Sequence, residues 1–125
     1  MSAVARFLLA SGAIVMALAV IGGAMSSHGV KSAAHPEAGR LLQTAVLYAL
    51  VHGLGLLILG ALARPAASTW LLAAGVLLLV GIVFFCGSLA VLALTGRSLG
   101  PVAPLGGVAF IAGWLALAVF VLLQP

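Results

Sequence analysis

The stretch PAASTWLLAAGVLLLVGIVFFCGSLAVLALTG, residues 65–96, carries no charged side chain. A helix rises about 1.5 Å per residue, so about 20 residues cross a hydrocarbon core about 30 Å thick. This stretch is therefore long enough for one membrane-spanning helix. Working outward from it, three further charge-free runs are also long enough to cross a bilayer: residues 7–30, 41–63 and 98–125.

The charged side chains lie at the margins of these four runs. They are Arg6, Lys31, Glu37, Arg40, Arg64 and Arg97. The chain is 66% hydrophobic and only 5% charged, whereas about a quarter of the residues in soluble domains are charged. We therefore predict an all-α fold, a single transmembrane domain over residues 1–125 that forms an integral membrane four-helix antiparallel bundle. The predicted helices cover about residues 5–27, 41–63, 69–94 and 101–123.

The net charge of +4 does not indicate a nucleic-acid partner, because the basic residues are dispersed at helix ends and form no patch. They are typical of interfacial anchors that reach toward lipid phosphates, so the bilayer is the expected partner. Cys86 is the single cysteine, which excludes an intrachain disulfide. The first 27 residues have some features of a signal peptide, but their apolar stretch exceeds the usual core of about 7–15 residues. We therefore interpret them as the first helix.

Local signals define the connections between the helices. Pro65 follows the second helix, and Ser68 or Thr69 can cap the third. Pro101 and Pro104 open the fourth helix, where a missing backbone N–H is least harmful. Four crossings place both termini and the 64–68 loop on one side of the membrane. The 28–40 and 95–100 loops lie on the other side, and a difference of one basic residue between the two sides is too small to set the orientation.

Glycines within the apolar runs indicate close helix contacts, because a missing side chain lets two backbones approach in lipid. We expect contacts within the chain first and contacts between copies second. The predicted packing glycines are Gly22, Gly23, Gly53, Gly87, Gly106, Gly107 and Gly113. The two halves of the chain show no internal repeat, so an inverted-repeat transporter is not indicated.

Polar residues are concentrated in the half of the membrane next to the 28–40 loop. Thr44, Tyr48 and His52 follow one stripe of the second helix, and Ser88 reaches a similar depth on the third. The candidate polar set is His28, Gln43, Thr44, Tyr48, His52 and Ser88. One hypothesis is a pocket with His52 at its floor. The alternative is a set of interhelical hydrogen bonds, each worth about 0.6–2 kcal/mol.

Reactive chemistry is not favoured by these residues. His28 and His52 differ in depth by about 10 Å in regular helices, and no carboxylate or third imidazole joins them, which argues against a metal or haem site. His35 lies beside Pro36 in the loop, where we expect it to be solvated. A Ser88–His52 pair would still lack a clear set of oxyanion donors, so we expect no catalytic residue, no metal and no cofactor.

Four segments resemble the domain of unknown function 423 family, which consists of small four-helix membrane proteins and includes eukaryotic transmembrane relatives. The resemblance covers about residues 10–118. It is carried by the residues 22–30 at the end of the first helix, by residues 43–48 with His52, by residues 85–89 with 94–96, and by residues 104–107 with Phe110, Gly113 and Trp114.

The resemblance implies the fold and the membrane location, and it supplies no reaction, cofactor or substrate. Relatives often carry a basic tail after the fourth helix, which implies a multi-pass protein of the plasma (inner) membrane with both termini in the cytoplasm. We expect a noncatalytic accessory or structural bundle that packs with itself or with a larger membrane complex. The alternative is that it binds or transports a small neutral or lipid-like molecule around His52.

Overall fold

The computed structural model describes residues 1–28 and 36–125. The prediction for His35 therefore lies outside the described residues. Four helices are long and apolar enough to cross a membrane: α1 (Ala3–His28), α2 (Ala38–Leu62), α3 (Thr69–Thr95) and α4 (Val102–Leu122). No strand is present in the described part of the chain, and the all-α membrane bundle is confirmed. The start of α2 precedes the predicted start by three residues.

A π-helical turn interrupts α3 between its two α-helical segments. The first segment is Thr69–Gly81, the turn is Ile82–Cys86, and the second segment is Gly87–Thr95. Such a wide turn admits one extra residue and is found mostly as a single turn within an α-helix. The length of this charge-free run predicts one helix over about residues 69–94 that tilts or bends, and the sequence does not indicate the π-helical turn.

The ends of α3 follow from local chemistry. The hydroxyl of Ser68 accepts a hydrogen bond from the backbone N–H of Trp70 at 3.2 Å, which satisfies one of the free donors of the first turn. At the other end, Gly96 adopts a left-handed conformation with φ 71°, and its N–H donates to the carbonyl of Leu92 at 2.9 Å. Glycine suits this position because it has no Cβ to clash.

Consecutive helices run antiparallel and form two extensive pairs. In the α1–α2 pair, the Ser2 hydroxyl donates to the carbonyl of Ala63 at 3.1 Å. In the α3–α4 pair, Gly106 lies directly against the backbone of Phe85. The two pairs meet mainly through α2, which contacts α3 along its length. Two helices that run in the same direction, α2 and α4, then face each other across the core.

The bundle has two structurally different halves. The half next to the 63–68 turn, which we call the leucine half, contains the largest fully buried side chains: Leu8, Leu56, Leu59, Leu71 and Leu78. The other half, which contains the end of α1 and the start of α2 and which we call the groove half, has the small buried residues Ala19, Ala45 and Ala49. Here α1, α2 and α3 leave an open groove between them, whereas Leu8 of α1 lies against Gly75 of α3 in the leucine half.

Candidate functional site

Five ring side chains meet near the centre of the bundle, and we call them the aromatic cluster. They are Tyr48, His52, Phe85, Phe110 and Trp114. The imidazole of His52 is stacked on Phe110, with ring centroids 3.6 Å apart and an angle of 13° between the planes. Tyr48 lies nearly parallel to His52 at 5.8 Å and contacts Phe85 at 4.5 Å. Stacked rings of this kind contribute about 0.5–1.5 kcal/mol per pair beyond their buried area.

Glycines make room for these rings. A Cβ at Gly55 would lie 3.1 Å from the Trp114 ring, and a Cβ at Gly81 would overlap the Phe110 ring. Both glycines are buried in helices. The spacing of Tyr48 and His52 places them one turn apart on α2, and Phe110 and Trp114 have the same spacing on α4. The cluster therefore forms because α2 and α4 run in the same direction and face each other. Phe85 joins it from the π-helical turn of α3.

The hydrogen bond of His52 fixes its tautomer. The Nδ1 atom lies 2.7 Å from the backbone carbonyl of Tyr48, and a carbonyl oxygen can only accept. Nδ1–H is therefore the donor, which leaves Nε2 of the neutral ring as an acceptor. Only 5% of His52 is exposed. The imidazole is held by a hydrogen bond to its own helix and by stacking on Phe110, so it contributes to the packing of the bundle interior.

The predicted polar set comes together only in part. Tyr48 and His52 are neighbours, and Ser88 is buried one turn beyond Phe85, but His28 and Gln43 are exposed. Thr44 is half-buried, and its hydroxyl donates to the carbonyl of Arg40 at 3.1 Å.

The hypothesis that all six candidate residues line one polar pocket is therefore wrong, because His28 and Gln43 are exposed. Local hydrogen bonds to the preceding turn satisfy a threonine without a partner on another helix. His28 and Gln43 also lie near the helix ends, where side chains can reach the polar headgroup region.

Neither Ser88 nor His52 has the contacts of a catalytic pair. Ser88 is buried, with only 6% of its surface exposed, and its hydroxyl has no hydrogen-bond partner among the described residues. An active serine needs a base within hydrogen-bond reach, and the hydrogen bond of His52 goes to the backbone carbonyl of Tyr48. In the described ranges 1–28 and 36–125, no three His, Cys, Asp or Glu residues are grouped so that they could hold a metal ion.

A recess lies beside the aromatic cluster on the outer side of α2. It has a volume of about 330 Å³ and is lined by Leu47, Tyr48, Val51 and His52. Because all four residues belong to one helix, the recess is a dent in the lipid-facing surface. It is the feature that comes closest to the predicted pocket around His52.

A larger groove lies elsewhere, between α1, α2 and α3 in the groove half. Its volume is about 380 Å³. Its walls are apolar and include six small residues: Ala19, Gly22, Ala45, Ala49, Gly87 and Ala90. Cys86 lines it as well, and no member of the predicted polar set does. This groove is thus separate from the histidine that the sequence favours.

The predicted packing glycines fall into two groups. A Cβ at Gly22, Gly23, Gly53, Gly106 or Gly113 would lie within 4 Å of a neighbouring helix, and at Gly106 it would meet backbone. A Cβ at Gly87 or Gly107 would meet no atom within 4 Å. The expectation of packing within the chain is therefore wrong for these last two, because the helix surface in front of them is open.

Comparisons with known proteins agree with this architecture. The family described as "Protein of unknown function (DUF423)" matches residues 22–107, which is more than half of the chain. The chain belongs to the DUF423 family. A UPF0382 membrane protein of Staphylococcus haemolyticus is 41% identical over 111 residues, covering 86% of this chain and 88% of the relative. UPF0382 membrane protein YwdK of Bacillus subtilis is 40% identical over 110 residues, covering 86% and 89%. No solved structure matches the chain.

The DUF423 match and the relatives establish a membrane protein of an uncharacterised family. The matched residues include Tyr48, His52 and Phe85 of the aromatic cluster, as well as the groove residues that follow Ala19. Sequence reasoning missed the aromatic cluster as a unit and the groove entirely. Two signals were available: ring residues at matching depths on α2 and α4, and small residues spaced three or four apart at Ala45 and Ala49 and at Gly87 and Ala90.

Proposed function

We propose that this DUF423 protein is a noncatalytic accessory bundle, which packs through its outer faces with further copies or with a larger membrane complex. The observation that supports the proposal best is the filled interior around His52. The imidazole of His52, which could act as a base, is stacked on Phe110 and bonded to its own helix. That arrangement favours a structural role over proton transfer or substrate binding.

Exposed apolar side chains cover the outer surface. Ile14, Leu18 and Ile21 lie on α1, and Val108 and Ile111 lie on α4, each more than half exposed. In lipid this exposure carries no hydrophobic penalty, and helix association depends on close van der Waals packing. The surface can therefore serve both lipid and a protein partner.

The oligomeric state in lipid discs tests the accessory role. The purified chain is reconstituted at several protein-to-lipid ratios, and its mass is measured by native mass spectrometry. The proposal predicts one defined oligomer, or a complex with a copurified membrane protein, at every ratio. A monomer at every ratio, with no protein partner, contradicts it.

A second candidate function is the binding of a small neutral or lipid-like molecule at the recess beside His52. The volume of about 330 Å³ is the observation that favours it. A ligand retained by the wild type and lost in both His52→Ala and Tyr48→Phe supports this function. Retention that is unchanged in both variants contradicts it.

For the orientation, we propose that both termini lie in the cytoplasm of a plasma-membrane protein. Single cysteines replace Ser68 and Ser98 in turn, in a Cys86→Ala background, and are labelled with an impermeant maleimide on intact cells. Both residues are exposed or half-buried at opposite ends of the bundle. The proposal predicts labelling from outside at position 98 only, whereas labelling at position 68 only reverses it.

A further inference from the structure

The groove between α1, α2 and α3 occupies one leaflet of the membrane. Its walls begin at Val15, Ala49 and Ile82, which are close to the midpoints of their helices, and extend to Gly22, Leu42 and Ala90. Seven or eight helical residues correspond to about 10–12 Å. One leaflet contributes about 15 Å of a hydrocarbon core about 30 Å thick, so the groove extends from near the bilayer centre almost to the headgroup region.

From this geometry we infer that the groove binds one acyl chain of a phospholipid from that leaflet. The inference goes beyond the accessory role and does not depend on it. The occupant must be apolar, because the walls offer aliphatic side chains, glycine and Cys86 but no strong hydrogen-bonding group. An acyl chain runs from the headgroup toward the midplane, which is the direction and the extent of this groove.

A helix of a second copy fits less well. Such a helix spans both leaflets, about 30 Å, but the groove ends at the midplane. Beyond that point Leu8 of α1 contacts Gly75 of α3, and the two helices close over the space. A straight transmembrane helix would lie in the groove over only half of its length.

Charge at the open end complements a lipid phosphate. Arg40 lies in the first turn of α2, and Arg97 follows the end of α3, so both are at the headgroup level where the groove emerges. The guanidinium of Arg40 also pairs with Glu37 at 2.6 Å, but both side chains are more than half exposed. Such an exposed pair is weak and leaves Arg40 available to a phosphate.

Gly87 supplies the sharpest test, because it lines the groove and has open space in front of it. The substitution Gly87→Leu would fill the groove without displacing any protein atom at its Cβ. Gly107→Leu is the matched control, since Gly107 is also a half-buried helical glycine with nothing within 4 Å, but lies on α4 outside the groove. A second pair is Leu18→Trp in the groove wall, 61% exposed, and Ile111→Trp on α4, 63% exposed.

The experiment measures phospholipid retained by the full chain after release from discs of equal parts palmitoyl-oleoyl phosphatidylcholine and phosphatidylglycerol. Native mass spectrometry is expected to show one tightly held phospholipid per wild-type chain. The fraction carrying it should fall about tenfold in Gly87→Leu and in Leu18→Trp, and stay unchanged in the two controls. Circular dichroism checks that all four variants are helical.

Three results would overturn the inference. One is a wild-type chain that holds no phospholipid, and another is equal retention in the groove variants and the controls. The third is loss of a second protein copy, instead of a lipid, in the groove variants, which would assign the groove to a helix. The accessory role is tested separately, because a defined oligomer can persist whether or not lipid is lost.

Discussion

The leucine half and the groove half are built from the same helices but packed by different means. In the leucine half, large side chains such as Leu8 and Leu78 fill the space between helices and are almost fully buried. In the groove half, Ala19 and Ala45 replace them, and a space of about 380 Å³ stays open between three helices. The contrast shows that α1 and α3 contact each other in the leucine half, as Leu8 and Gly75 do, and leave an apolar opening in the groove half.

The largest expected effect of a substitution on the free energy of unfolding is in the leucine half. Leu78→Ala should lower the free energy of unfolding by about 3–4 kcal/mol, because it removes a side chain that is 1% exposed and leaves a cavity. Unfolding by sodium dodecyl sulfate in bicelles measures the change. Leu18→Ala in the groove wall is the control and should cost less than about 1 kcal/mol, since Leu18 is 61% exposed. Equal losses would remove the distinction between the halves.

The next effect compares two adjacent glycines on α4. Gly106→Ala should destabilise the bundle by about 2–3 kcal/mol, because the new Cβ would meet the backbone of Phe85 and force α4 away from α3. Gly107→Ala places its Cβ in open space and should be neutral or slightly stabilising. The same bicelle assay applies, and a tolerated Gly106→Ala would show that the π-helical turn is not a fixed contact.

A smaller effect is expected where the two halves meet, at the aromatic cluster. Phe110→Leu keeps most of the apolar volume but removes the stack on His52, so it should cost about 1 kcal/mol. Phe7→Leu serves as the control at a position that is 47% exposed. Comparable costs at the two positions would mean that the ring stacking contributes nothing beyond burial.

The smallest expected effect concerns Ser88. Its buried hydroxyl has no hydrogen-bond partner in the described part of the chain, so Ser88→Ala should stabilise the bundle by up to about 1 kcal/mol. Ser68→Ala provides the contrast, because it removes a cap from α3 and should cost about 1 kcal/mol. A marked loss of stability in Ser88→Ala would reveal a partner for the hydroxyl in the membrane-embedded protein.

The four-helix architecture was predictable because it depends on the length and composition of long charge-free runs. Charge-free runs bounded by Arg6, Arg40 and Arg64 define the spans whatever the details of packing. The site was only partly predictable. The stripe of Tyr48 and His52 correctly placed two rings together, since one helix determines their spacing.

The spacing of residues along one helix does not predict which side chains of different helices face each other. Regular helical spacing does not predict the π-helical turn at residues 82–86, which changes which side chains face α4 and which face the groove. Threonine and serine also bond to their own helix, as Thr44 does, so a polar residue in a span does not by itself indicate a polar partner. Concavities such as the groove depend on where two helices separate, which periodicity does not record.

The π-helical turn in α3 also has a consequence for sequence divergence. An extra residue in a regular helix rotates everything after it by about 100°, but a wide turn absorbs that residue locally. A relative with one residue fewer between Gly81 and Gly87 could therefore replace the turn by plain α-helix and keep Leu78 and Ala90 on their present faces. We expect single-residue gaps in this family to be tolerated here, and insertions or deletions elsewhere in α3 to be rare.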